Sequence, residues 1–501
     1  MKLIEKIKKF NIKKKKTRFI LSFIGSVIYG LGGVTSMALS HYSVYITSYF
    51  HYNKVNIDMH YGNLILPILN FSNSIFSPLA GYIERKLGLY LALSLSFILL
   101  ELDIILFINQ MNIWFTFVLI IFLGCSNGIG MAIPGKNLYQ YYPEKSGIIN
   151  TSLISCYIII GTTLGVIGEK IINPEQYTLG EGEQFYPLEI SKNYKKYYKF
   201  VLCMNPSALI ISLLLIKKYN PEYEKELTEE NNNTEENNKN NTIIKDNNYS
   251  KNIKSAIINK RIWCLIGIAN LTPFVIIFSK NTFRVYGALV NVSGSVLQYS
   301  ILFTSFSSII VGPIWGYLND KYRYEIIIKI LSICCIIQAL FLSIFIKSNT
   351  IYIIFILFGS VIITGFTSAS HLHILRVYGI KYSLEIGGII GIFGGIINIL
   401  NTSLSLIVSK YFQNGDELRF AYRLIYIAGI LISGLGGFLA FYEKDDKYLY
   451  PFSQNENDYL TMINSDSKDN EKEKGEDNVN LSKEIELEVQ NNSSDVTVDS
   501  A

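Results

Sequence analysis

The sequence predicts an all-α polytopic membrane protein with about twelve transmembrane helices in two six-helix pseudo-repeats. Three observations carry that expectation. First, half of the 501 residues are hydrophobic and only 17% are charged, against about 25% charged in a soluble domain; the mean hydropathy is +0.28. Second, apolar runs long enough to cross a bilayer recur along the whole chain. Third, one hairpin design occurs twice. An apolar run ends at Gly312-Pro313-Ile314-Trp315-Gly316-Tyr317-Leu318-Asn319-Asp320-Lys321 and another begins at once. The first half has a counterpart at Ser77-Pro78-Leu79-Ala80-Gly81-Tyr82-Ile83-Glu84-Arg85-Lys86-Leu87-Gly88.

In chain order, residues 1–18 form a basic N-terminus. The apolar run that follows is too long for a secretory signal core and has no small-residue cleavage pattern, so it reads as a first membrane helix. Spans are expected at 19–40, 61–79, 89–108, 113–133, 148–167 and 200–216, which make a first bundle over 19–216. A second bundle over 261–442 has spans at 262–278, 296–315, 326–346, 351–370, 386–408 and 422–441. An even number of spans puts both termini on one side. The side that carries Lys13 to Arg18, Arg85, Lys86, Lys136, Lys145, Lys217, Lys218, Lys321, Arg323, Arg376 and Lys381 is then the cytosol. Lys192, Lys195, Lys196 and Lys199 disagree, but they follow an acidic stretch in a longer loop, where the rule weakens. Residues 217–260 and 443–501 are hydrophilic, and both are expected to be disordered cytosolic tethers.

Several function classes drop out. No nucleophile–base pair and no metal-ligand spacing is visible, so no enzyme, metal or cofactor is expected. The six cysteines all lie in apolar runs and read as small core residues. A net charge of +5 without an aromatic-interleaved basic patch gives no support to nucleic-acid binding. The expected partners are a lipid bilayer and a small solute, with a coupled proton or counter-solute open.

The two hairpins resemble the loop motif of the major facilitator superfamily, Gly-x-x-x-Asp-Arg/Lys-x-Gly-Arg/Lys. The second copy matches at Gly316, Asp320 and Lys321 and has Arg323 where glycine is usual. The first keeps Gly81, Lys86 and Gly88, with Arg85 in the acidic position and Glu84 one place early. A narrower resemblance, to monocarboxylate transporters and oxalate–formate antiporters, rests on four stretches. These are Gly124-Cys125-Ser126-Asn127-Gly128-Ile129-Gly130-Met131-Ala132-Ile133-Pro134, Tyr141-Tyr142-Pro143-Glu144-Lys145-Ser146-Gly147, Tyr42-Ser43-Val44-Tyr45 and Val377-Tyr378-Gly379-Ile380-Lys381. Members of that subfamily place an arginine before the proline of the eighth helix, where it meets the substrate carboxylate; here that position is Gly312.

Charge within a bilayer costs about 2.5–3.5 kcal/mol per residue on insertion scales, so each charged or titratable group there has to be explained. Glu101 and Asp103 sit two apart in the third span and either snorkel to the interface or form a proton site. His41 and His371, the latter beside His373, are further proton-relay candidates or interfacial packing. Lys280 and Arg284, at i and i+4 on the seventh span, form either an anion trap or a pair of interfacial cations. Asn127, Tyr157, Asn270, Gln298, Thr304 and Asn398 are neutral polar candidates for holding a solute or for bonding helix to helix.

The loop motifs have an expected mechanical role. Asp320 should sit near the start of the fifth helix and Glu84 near the start of the eleventh, where a carboxylate is stabilised by the helix N-terminus. The resemblance implies a secondary active or facilitative transporter working by alternating access, with a monocarboxylate-like organic anion as first solute class. A neutral or zwitterionic solute such as an amino acid is the alternative. A non-transporting sensor or scaffold on the same fold is the competitor from a different class.

Overall fold

The apolar runs are helices in the computed structural model. It describes residues 2–53, 62–109, 112–175, 177, 185–219, 257–258, 260–289, 292, 294–344, 349–412 and 415–442. Most of the expected linker and all of the expected tail lie outside the described residues, as do the side chains of His41, Arg284 and Gln298. The first bundle comprises α1 (Lys2–Tyr52), α2 (Gly62–Leu87), α3 (Leu89–Asn109), α4 (Ile113–Gly130, continued by Ala132–Tyr139), α5 (Ser146–Ile172) and α6 (Tyr194–Leu215). The second comprises α7 (Lys260–Leu271 and Phe274–Leu289), α8 (Gly294–Lys321) and α9 (Tyr324–Ile344). It continues with α10 (Thr350–Ile380), α11 (Tyr382–Tyr411) and α12 (Gly415–Tyr442). Among the described residues, eleven helical segments are long and apolar enough to cross a membrane; α8, with 28 residues, is the further helix.

Two helices run well past the apolar stretches that announce them. α6 begins at Tyr194, although residues 194–199 are rich in lysine. Tyr194, Tyr197 and Tyr198 recur at helical spacing and are buried, against Tyr42, Tyr49 and Phe107 of α1 and α3. The lysines take the other positions, and the ammonium of Lys195 lies 4.8 Å from the Tyr49 ring centroid. α10 runs on past its expected end at Ser370 and passes into α11 without a loop, the helix being broken near the end of α10 by Gly379, with a φ of 71° and ψ of 167°. That backbone is open to glycine and costly for any other residue, so one glycine replaces a loop.

Chain ends and packing define one polar end of the bundle. The Lys15 ammonium lies 5.2 Å from the ring of Tyr142, which precedes α5. Phe441, at the end of α12, lies beside Lys329 near the start of α9. The first and last helices therefore emerge at the same end. The chain leaving α6 is pinned there: the Lys217 carbonyl accepts from Ser22 Oγ (3.0 Å), Asn137 Nδ2 (3.0 Å) and the Tyr141 hydroxyl (2.9 Å). The halves meet mainly through α2 against α11 and α5 against α8.

Candidate functional site

The tie between the halves is built at the end where α1 begins and α12 finishes. Asp320, in the last turn of α8, reaches the first turn of α5. Its Oδ1 accepts from the Gly147 amide and its Oδ2 from the Ile148 amide, each at 2.9 Å. These are N–H groups that the helix itself leaves unbonded, and the macrodipole adds to their attraction for a carboxylate. Burial pushes the Asp320 carboxyl above the ordinary aspartate value, while the Ile148 and Gly147 amides and Arg376 pull it back. Arg376 of α10 holds the turn from behind by donating to the Asn319 carbonyl at 2.8 Å.

The first motif makes a different contact from the expected one. Glu84 does not reach α11; its Oε2 meets Lys136 Nζ of α4 at 2.8 Å, within its own half. Arg85 crosses instead, pairing with Glu385 Oε1 in the first turns of α11 at 2.8 Å. The arginine stands where the motif's acid is usual, and an acid has appeared on the facing helix. The attraction survives with its charges exchanged. Gly81 leaves the space that the Glu385 carboxylate fills, since a side chain there would collide with it.

Of the other loop-motif residues, Gly316 packs directly against Gly147 and Ile148 of α5 across the halves. Lys86 and Lys321 stack over Tyr82 and over Tyr317 and Tyr322, and Arg323 is exposed. Gly88 has a φ of 80° and turns the chain from α2 into α3.

The neutral polar candidates whose side chains are described make separate contacts. Asn127 is buried beside a small cavity lined by Tyr29, Ser96 and Met131. The Tyr157 hydroxyl of α5 donates to the Ser26 carbonyl of α1 at 3.2 Å. Asn270 donates to Ile266 O at 2.9 Å and to Ile390 O at 3.3 Å, tying α7 to α11. The Thr304 carbonyl accepts from Ser360 Oγ at 3.0 Å.

One group differs. Asn398 Oδ1 of α11 accepts from Asn281 Nδ2 of α7 at 2.8 Å, and the adjoining Lys280 is exposed, with no hydrogen bond or ion pair among the described residues. Asn281 carries no local signal in the sequence that sets it apart from the other neutral polar residues of the spans.

Residues 19–400 match the sequence profile of the Major Facilitator Superfamily. The chain belongs to the major facilitator superfamily. Two solved members share its fold. FucP, described as a transporter of this superfamily in the outward conformation, aligns with a TM-score of 0.57 at 12% identity over 86% of this chain and 100% of its own. XylE, described as a proton:xylose symporter bound to 6-bromo-6-deoxy-D-glucose, aligns with a TM-score of 0.55 at 11% identity over 84% and 95%. A comparison with curated protein sequences returned no match. The protein is thus a multi-pass transporter-fold membrane protein and not an enzyme.

Of the proton-relay candidates whose side chains are described, Glu101 and Asp103 lie away from the meeting of the halves and His371 is the exception. Glu101 and Asp103 do not snorkel. Asp103 is only 4% exposed, and both Glu101 carboxylate oxygens are buried without a hydrogen bond. Glu101 faces Asn205 and Asp103 lies beside Tyr198, so the peripheral helix α6 covers both. The exception is His371 of α10, whose ring packs edge-on to Tyr139 of α4 at 5.5 Å across the two halves. His373 stacks on Tyr324 at 3.9 Å.

The Arg85–Glu385 pair yields a clean test. Arg85→Glu places two carboxylates together and is expected to slow transport several-fold; Arg85→Glu with Glu385→Arg should recover most of the loss. The coupling in the double-mutant cycle should be about 1–2 kcal/mol, within the range for a contacting charged pair. Equal defects in the single and double variants would show that the charges act independently.

Proposed function

We propose that the protein carries a small organic anion of the monocarboxylate class across a membrane by alternating access, with both termini in the cytosol. The observation that carries this reading is the tie between the halves at one end only of the elements described, through Asp320 and through Arg85–Glu385. Contacts of that kind form when the halves close at that end and break when they open, as rocking about a central site requires. The same end carries the basic flank of α1, which supports its assignment to the cytosol. The state described is then closed at its cytosolic end, and the segments 217–260 and 443–501 lie on the cytosolic side by the same assignment.

Lys280 supports the choice of an anion. α7 buries Phe278, Thr282 and Tyr286 against α9 and α12. Helical geometry leaves Lys280 on the opposite face, next to the Asn281–Asn398 bond. The resemblance to monocarboxylate and oxalate–formate carriers supports the same solute class. Gly312 favours a second reading. It packs on Ser155 of α5 where the subfamily has its arginine, which suits a neutral or zwitterionic solute; XylE is described as a carrier of one such solute, xylose.

The deciding experiment is uptake into proteoliposomes of labelled monocarboxylates, amino acids and pentoses. Lys280→Ala is expected to raise KM for an anion at least about tenfold, the loss of one charge-assisted hydrogen bond, and to leave a neutral solute's KM unchanged. Equal KM values for the anion would remove Lys280 from the site. Binding without flux for every solute would favour a sensor.

A further inference from the structure

Near the start of α12, Arg419 and Arg423 lie on the same side of the helix, one turn apart. They are about 6 and 12 Å along the axis from Gly415, at the end of the bundle remote from Asp320. Both are half-buried, and the Nε of each is buried without a hydrogen bond. Asp416 and Glu417 in the first turn are exposed and form no ion pair with them. On one flank stands a buried tyrosine cluster, in which Arg423 lies beside the Tyr286 hydroxyl of α7. On the other stands the face of α12 turned away from protein, where Phe420 is 62% and Leu424 49% exposed. Two guanidiniums are thus held at the edge of the packed protein, beside its exposed apolar face, with no carboxylate among the described residues to neutralise them, an arrangement that membrane burial penalises.

We propose that Arg419 and Arg423 bind the phosphate of a net-anionic phospholipid in the leaflet at that end. A planar guanidinium matches phosphate oxygens in pairs, and two of them one turn apart bracket a single phosphate. Helical side chains lean toward the N-terminus, so both arginines extend toward the headgroup plane. The adjoining apolar stripe takes the acyl chains, which is why a lipid fits better than a free anion.

The test uses the full-length protein in detergent and native mass spectrometry, with phosphatidylglycerol, phosphatidylcholine and inorganic phosphate as probes. Wild type is expected to retain phosphatidylglycerol at least tenfold better than phosphatidylcholine. Arg419→Gln with Arg423→Gln should lower the first to the level of the second, and Arg419→Lys with Arg423→Lys should lower it only part-way. If the double glutamine variant does not fold, each single glutamine variant is expected to lose roughly threefold, half the double effect on a logarithmic scale. Unchanged phosphatidylglycerol retention in folded variants overturns the site. Displacement of phosphatidylglycerol by inorganic phosphate overturns the lipid and leaves a soluble anion in its place.

Discussion

Asp320→Ala is expected to open the inward end of the protein. The carboxylate accepts two amide hydrogen bonds at the start of α5, each at 2.9 Å. Hydrogen bonds to a charged group contribute about 1.5–3 kcal/mol each, net of exchange with water. The two bonds share one carboxylate and are not additive, so the differential is smaller than their sum, about 2–3 kcal/mol. That corresponds to a shift of roughly 30- to 150-fold in the ratio of closed to open molecules. Glu144 precedes α5, Arg323 follows α8, and both are exposed. Spin labels placed at these two positions, in a background without the six native cysteines, report the distance between the halves directly. Wild type should give a single short distance and Asp320→Ala a dominant long one. Asp320→Asn, which keeps one acceptor and loses the charge, should fall between them. Unchanged distances in the alanine variant would mean that the two bonds do not distinguish the states.

The twelve spans and the paired hairpins were legible because hydrophobic length and motif spacing are local properties of a sequence. Asp320 was legible for the same reason: the residue types and the turn that presents them lie within a few positions of each other. Its counterpart was not. Arg85 departs from the motif, and the acid that answers it, Glu385, lies on a helix of the other half that no local pattern connects to it. Composition misled at the start of α6, where lysines suggested a loop although the tyrosines beside them already had helical spacing. It misled again at α12, where the expected span began after Arg419 and excluded the pair it forms with Arg423. The third-span acids show a further limit. Snorkelling depends on which way a side chain is free to turn, and α6 covers both Glu101 and Asp103. The candidate solute residues were the least legible, because an asparagine that bonds helix to helix and one that meets a solute are the same residue in sequence. Asn270 is of the first kind.

Gly316→Val should abolish inward closure more completely than loss of Asp320 does. A β-carbon at Gly316 would lie 2.7 Å from both the Gly147 carbonyl oxygen and the Ile148 α-carbon. Both obstacles are backbone atoms of α5, so no change of rotamer relieves the overlap, and the helices must part. Overpacking alone costs about 1–3 kcal/mol. The separation also carries the Asp320 oxygens away from the Gly147 and Ile148 amides, and beyond about 3.5 Å those bonds no longer count as such. One substitution therefore removes the close packing and the hydrogen bonds together, and it does so only in the closed state. The inward-open state has room for valine, so the variant should fold and insert normally. Transport is expected to fall by more than tenfold, with the label distance long in nearly all molecules. Gly316→Ala, with a single added carbon, should lie between wild type and valine. A valine variant that transports at the wild-type rate would show that α5 and α8 never need to meet as closely as they do here, and that the closed inward end is not a state of the transport cycle.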